Sequence, residues 1–173
     1  MRRILPFLVL SGAITACATM SVSSYIQPGA DFAAYHTYDW GARDALPTGD
    51  PRLDNNPFFD SHVRASVESQ LAVKGYRRVA ENSDLVIHYH ASVRQKVDVY
   101  RVDAEAGYRY ETEAVQYEEG TLLLDVADAK TKQIIWRGWG QTDIEGVIND
   151  QSRMEQRVTE VTQKILERFP PRR

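Results

Sequence analysis

The sequence is short of most features that announce a chemistry. Its 173 residues hold one cysteine, Cys17, and that residue falls in an export-like N-terminal segment. The folded part is therefore left without a disulfide or a thiolate metal site. There is no Gly-x-Ser-x-Gly elbow to seat a serine nucleophile, no P-loop and no dinucleotide glycine fingerprint. The N-terminal apolar run, Ile4 to Leu10, is too short to cross a bilayer and is interrupted by Pro6. A surplus of positive charge is missing too. The net charge is −3; without the first sixteen residues, which include Arg2 and Arg3, 19 basic side chains face 24 acidic ones, a balance of −5. This removes the electrostatic case for nucleic-acid binding.

What is present is ordinary globular material, 43% hydrophobic and 26% charged, in a length that supports one domain with a full core. Ahead of it stands an address: basic Arg2 and Arg3, the apolar run, then small residues from Ser11 to Ala16. Ile14-Thr15-Ala16-Cys17 resembles the bacterial lipobox, whose cysteine is lipid-modified and becomes the first residue of the mature protein; an ordinary cleaved secretory signal is the alternative. Acyl chains on Cys17 would bury methylenes at about 0.8 kcal/mol each and hold the chain to a membrane. Ala18 follows, where lipoproteins kept in the inner membrane often have Asp, so the resemblance implies the periplasmic face of the outer membrane.

The strongest β signal is Gly120 to Asp143. Leu122, Leu124 and Val126 alternate with Thr121, Leu123 and Asp125, and Ile134, Trp136 and Gly138 alternate with Ile135, Arg137 and Trp139 on the return. A loop at Lys130 to Lys132 sets Asp125 opposite Arg137 and Val126 opposite Trp136, so charge meets charge and apolar meets apolar. The face of Leu122, Leu124, Val126, Ile134 and Trp136 is expected in the core. The other face, with Leu123, Ile135 and Trp139 beside Asp125 and Arg137, is half apolar: another segment of the chain or a partner covers it, or it is simply partly exposed, as apolar residues on monomers commonly are.

Elsewhere the chain reads as strands at Ser21–Ile26 and Tyr35–Trp40, then an exposed loop from Gly41 to Pro57. A helix follows, capped by Asn55 or Asn56, with Phe59, Val63, Val67 and Leu71 on one stripe and Gly75 as its stop; His62 and Glu68 fall off the stripe and are expected in solvent. Asp84 to Val93 is a strand that can continue through Val97 and Val99. Val102 to Glu119 is acidic and holds Tyr108, Tyr110 and Tyr117, either as a mobile excursion or as a strand pair with polar faces. The last helix starts near Asp150, carries Met154, Val158, Val161, Ile165 and Phe169, and stops at Pro170 and Pro171. Together these predict an α+β fold, a mostly antiparallel sheet with two helices packed on one face. Residues 1–16 are expected to be the signal peptide, 17–30 the lipidated tether and first strand, and 31–173 a single periplasmic domain.

Several elements, in order, resemble one family. They are the lipobox, Asp31-Phe32 through Tyr35 and Tyr38 to Trp40, Lys74-Gly75-Tyr76, Ser83-Asp84-Leu85-Val86, Glu119-Gly120-Thr121-Leu122 with Asp125, Asp128, Ala129 and Lys130, Trp136-Arg137-Gly138, and Ile165-Leu166 before Phe169-Pro170-Pro171. This series is similar to the bacterial lipoproteins with domain of unknown function 4136. The resemblance implies a compact, envelope-anchored α+β domain and supplies no catalytic residue; Tyr108 to Glu119 and the His88/His90 pair lie outside its motifs.

His88 and His90 point the same way from one strand, as two metal ligands would, and a third would have to come from His36, His62 or a carboxylate; exposed strand histidines are the simpler account. Asp125 with Arg137 is better explained as a cross-strand pair than as a dyad. Trp136 is expected in the core, whereas Trp139, Tyr108 and Tyr110 are open to a ligand or partner. The expectation is a non-enzymatic, lipid-anchored protein without a cofactor, whose domain contacts another envelope component through Leu123, Asp125, Ile135, Arg137 and Trp139 with Tyr108 and Tyr110. The alternative is a small-ligand or metal-binding module.

Overall fold

The computed structural model describes residues 20–42, 47–103 and 110–171, so the signal segment, Cys17 and Tyr108 lie outside the described residues. The elements are strand β1 (Met20–Ile26), a 3-10 turn at Phe32–Ala34, β2 (Thr37–Trp40), helix α1 (Pro57–Val73), β3 (Arg77–Arg78), β4 (Leu85–Asp103), β5 (Tyr110–Asp128), β6 (Ile134–Asp143) and helix α2 (Gln151–Glu167). They form an α+β fold: one six-stranded sheet in the order β1-β6-β5-β4-β2-β3, with two helices.

The sheet is mixed. β1, β6, β5 and β4 pair antiparallel in succession, but β2 runs parallel to both β3 and β4. The cause is a crossover, because β2, α1 and β3 make a βαβ unit whose helix returns the chain to the same end of the sheet. Two arginines are too short a strand to show any alternation. The described part of the acidic stretch, residues 102–103 and 110–119, is strand: β4 and β5 are 19 residues each and stay in one register from Leu85↔Asp128 to Asp103↔Tyr110.

Helix ends follow local chemistry. The Asn56 Oδ1 accepts from the N–H groups of Phe58 and Phe59, at 3.0 and 3.1 Å, and Pro57 takes the first turn, where a missing N–H costs nothing. Gly75, at a φ of 89°, lets the Tyr76 N–H return to the Leu71 carbonyl at 3.0 Å. Asp150 caps α2 through the Arg153 N–H at 3.1 Å. Both helices bury their stripes against the same face of the sheet: Phe59 packs edge-on to Tyr89, the Trp40 indole N–H donates to Glu68, and Ile165 and Val161 lie over Gly138 and Gly140. In register these residues share one face with Leu85, Ile87, Leu124, Val126 and Trp136, all fully buried. Phe169, just past α2, completes the core with ring contacts to Phe32, Tyr76 and Trp136 at 5.5, 5.3 and 5.0 Å.

Four expectations need correction. Ile134, placed in the core, is 40% exposed, and Ile135, placed on the outer face, is 5% exposed and belongs to the core. The reason is a β-bulge: Val126 pairs with Trp136 but Ala127 with Ile134, so Ile135 is an extra residue on β6. Glu68 does not stand in solvent, since it also accepts from Arg78 at 2.9 Å. His62 does not either; its Nε2 lies 2.8 Å from the Glu155 carbonyl and 3.1 Å from the Thr159 hydroxyl, bridging the helices. The described part of the loop between β2 and α1 is exposed at Pro47, Gly49, Pro51, Arg52 and Asn55, as expected, and is anchored to the sheet by buried Leu53 and Asp50 and by the Val93 N–H, which donates to the Thr48 carbonyl at 2.6 Å.

Candidate functional site: the outer face of the sheet

The side of the sheet away from the helices is a grid set by register. One row runs Tyr25–Arg137–Asp125–His88, the next Ser23–Trp139–Leu123–His90, and the third Ser21–Gln141–Thr121–Ser92. At the centre Arg137 donates twice to Asp125, Nε to Oδ1 and Nη2 to Oδ2, both at 2.6 Å. That hydrogen-bonded pair holds the guanidinium above its ordinary pKa. An ion pair this exposed adds on the order of 0–1 kcal/mol to stability, so its main effect is to fix the orientation of the Arg137 fork against Asp125. Around it, Leu123 and Trp139 are half-buried and Tyr25 is 53% exposed. Aromatic rings beside an arginine are the composition that concentrates binding energy in protein interfaces.

Of the residues singled out by sequence, Leu123, Asp125, Arg137 and Trp139 lie together on this grid, and Ile135 leaves it through the bulge. Tyr110 begins β5, at the far end of the β4–β5 pair, and only its backbone is described. His88 and His90 share the face. His88 is exposed, with its ring over the backbone of Gly41, where a Cβ would collide with the imidazole. Among the described residues no group of three His, Cys, Asp or Glu stands close enough to hold a metal ion. His36 contacts the Ala34 carbonyl at 3.1 Å and His62 is engaged between the helices. Sequence reasoning missed Tyr25 and Ser23. Their alternation was legible, but nothing in β1 says that β6 is its neighbour.

The carboxylates displaced to low pKa are occupied in the scaffold. Asp84 is lowered first by the His36 N–H, Asp128 first by the Thr131 N–H within the β5–β6 turn, and Asp50 first by its hydrogen bonds from Arg52. Burial, with the hydrogen bond to Asp128 next, raises the Tyr35 hydroxyl to about 12. On the helix side of the sheet a concavity opens among Leu53, Phe59, Val93, Leu122, Ile144 and Met154, enclosing about 510 Å³ when its open mouth is counted. Its floor includes Gly120 and Gly140; a Cβ on Gly140 would stand 2.5 Å from Val161 Cγ2.

Comparison with known proteins adds the lineage. The chain is similar to a PDZ domain protein from Parabacteroides distasonis ATCC 8503, at 13% identity and a TM-score of 0.58, over 87% of this chain and 36% of that one. It therefore spans little more than a third of that protein, and at such identity the likeness is one of fold. It is also similar to the PelC dodecamer from Paraburkholderia phytofirmans (14% identity, TM-score 0.48, 86% of this chain, 95% of that one). A third is a putative neuraminyllactose-binding hemagglutinin homolog from Helicobacter pylori (15%, 0.46, 79% and 87%). No curated protein matches. A family model does, over residues 22–171, and the chain belongs to the family described as domain of unknown function DUF4136.

Proposed function

We propose that this chain is a lipid-anchored protein of the bacterial envelope, held through acyl chains on Cys17 at the periplasmic face of the outer membrane. Its domain meets another envelope protein through the grid around Trp139 and acts by binding rather than catalysis. The observation that carries the reading is the asymmetry of the sheet: both helices take their contacts from one face, while Trp139, Leu123 and Tyr25 stand partly or largely exposed around the Arg137–Asp125 pair on the other. The anchored state is supported by the lipobox resemblance of Ile14 to Cys17. A binding rather than a catalytic role is supported by the scaffold duties of the displaced carboxylates, since catalytic groups are ordinarily displaced while facing a cleft.

Replacing Trp139 with Asp tests it. A photo-crosslinking probe at position 139 in intact cells should give a discrete heavier band, and W139D should abolish co-purification of that partner while its circular dichroism and melting temperature stay near those of the parent. Unfolding of W139D would make the face part of the core and end the reading.

A small apolar ligand is the second reading, favoured by the apolar lining of the cleft on the helix side, where Leu53, Phe59, Leu122, Ile144 and Met154 converge. Organic extraction of natively purified protein should then yield a stoichiometric apolar molecule. An empty extract from folded protein counts against it.

A further inference from the structure

We infer that the outer edge of β1, which has no neighbouring strand among the described residues, pairs with β1 of a second copy of this chain, joining two sheets about a twofold axis through Ser23. The inference goes beyond the reading of the outer face and stands without it. The Gln27 N–H donates to the Ile135 carbonyl at 2.8 Å, continuing the β1–β6 register. Because antiparallel pairs alternate between bonded and unbonded, Tyr25, Ser23 and Ser21 turn their N–H and C=O groups to β6. Ile26, Ser24, Val22 and Met20 therefore direct theirs to the open side, along an edge roughly 24 Å long.

The two edges of the sheet are built differently. The far edge, β3, is two residues long, both arginine and both exposed, and Arg78 is tied to Glu68 and Asp39. Brevity and positive charge are the usual defences of an edge. β1 has seven residues, MSVSSYI, with no charge, no proline and an unbroken register against β6, and its Tyr25 and Ile26 are 53% and 45% exposed. This edge carries none of the features that repel another strand.

The strand is also complementary to itself. An antiparallel pairing centred on Ser23 bonds Val22 with Ser24 and Met20 with Ile26, using every outward group of β1. It sets apolar Met20 and Ile26 together on the helix side, and Ser21 with Tyr25 on the outer side. Pairings displaced in either direction leave part of the edge unmatched. A strand without charge offers a heterologous partner nothing to orient by, whereas two identical strands meet with no like-charge opposition. An edge alone is smaller than the roughly 1,200–2,000 Å² of a stable interface, so the contact is weak and concentration-dependent, and covalent trapping is the way to observe it.

Ser23 pairs with its own copy in an unbonded position, where Cα atoms lie about 4.5 Å apart, within the roughly 4.4–6.8 Å that a disulfide spans. Ser21 lies about 14 Å from its copy in this register. Full-length protein carrying Ser23→Cys or Ser21→Cys, and the parent as the control for Cys17, would be oxidised in native membranes and separated without reductant. The expected result is a reducible band of two copies from S23C, several-fold stronger than from S21C or the parent. Adding Ser24→Pro removes an outward N–H and leaves the β6 pairing intact; it should suppress that band in protein whose circular dichroism is unchanged. Equal bands from S21C and S23C, no band from folded S23C, or a band whose mass is not that of two copies would each overturn the inference. If Ser24→Pro unfolds the chain, the contrast between positions 23 and 21 decides alone.

Discussion

Asp84 shows how one side chain can set a topology. Its Oδ2 accepts from the His36 N–H, the Thr37 N–H and the Thr37 hydroxyl at 2.8, 2.9 and 2.9 Å, and its own N–H donates to that hydroxyl at 3.0 Å. These bonds clamp the start of β2 to the start of β4 and fix their parallel register. Hydrogen bonds to the charged form lower the carboxyl pKa, led by the one from His36. A lowered folded-state value means that the stabilisation is complete above the unfolded value, about 3.9, and is lost as pH falls through the folded value beneath it. Asp84→Asn should therefore cost about 1–3 kcal/mol at neutral pH, and urea unfolding across pH should show a shallower acid limb than the parent. The sequence placed Ser83-Asp84 at a strand entrance but held no sign of this clamp, because its partners lie 47 and 48 residues away. Local pairs fared differently: Asp125 and Arg137 were legible because twelve residues of alternating pattern and one turn bring them together.

At the scale of elements, the β5–β6 hairpin shows a register that was legible for an incomplete reason. A three-residue loop at Lys130 to Lys132 gives the observed pairing of Asp125 with Arg137, yet the chain turns over four residues, 129–132. The Asp128 N–H meets the Gln133 carbonyl at 3.0 Å, and Lys132 adopts a φ of 60°. The longer turn shifts the register by one, and the bulge at Ile135 shifts it back. Polar residues mark where a turn lies; two compensating one-residue departures leave no trace in hydrophobic period. The β4–β5 pair has its own consequence. From Lys96↔Tyr117 to Asp103↔Tyr110 it has no third strand among the described residues, an extension of roughly 27 Å. Two strands alone are marginally stable in water. Hydrogen exchange read by mass spectrometry should show amides of 96–103 and 110–117 exchanging well before those of 85–93 and 120–128. Equal protection would mean that something covers the extension.

For the whole molecule, the order of strands was the least legible property. Caps, stripes and alternation are written within a few residues of where they act, and they gave both helices and most strands. Which strand lies beside which is settled by the competition of all faces for one core, and a two-residue β3 contributes no pattern to it. The start of β1 has a further consequence. Met20 is three residues from Cys17, so a lipid on that cysteine would hold the sheet on a leash of about 10 Å, shorter than the roughly 15 Å radius of gyration of a domain this size. Such a domain can rock but cannot wander. It would search for its partners by lateral diffusion in two dimensions, and only molecules sharing that surface, or reaching down to it, would be within its grasp.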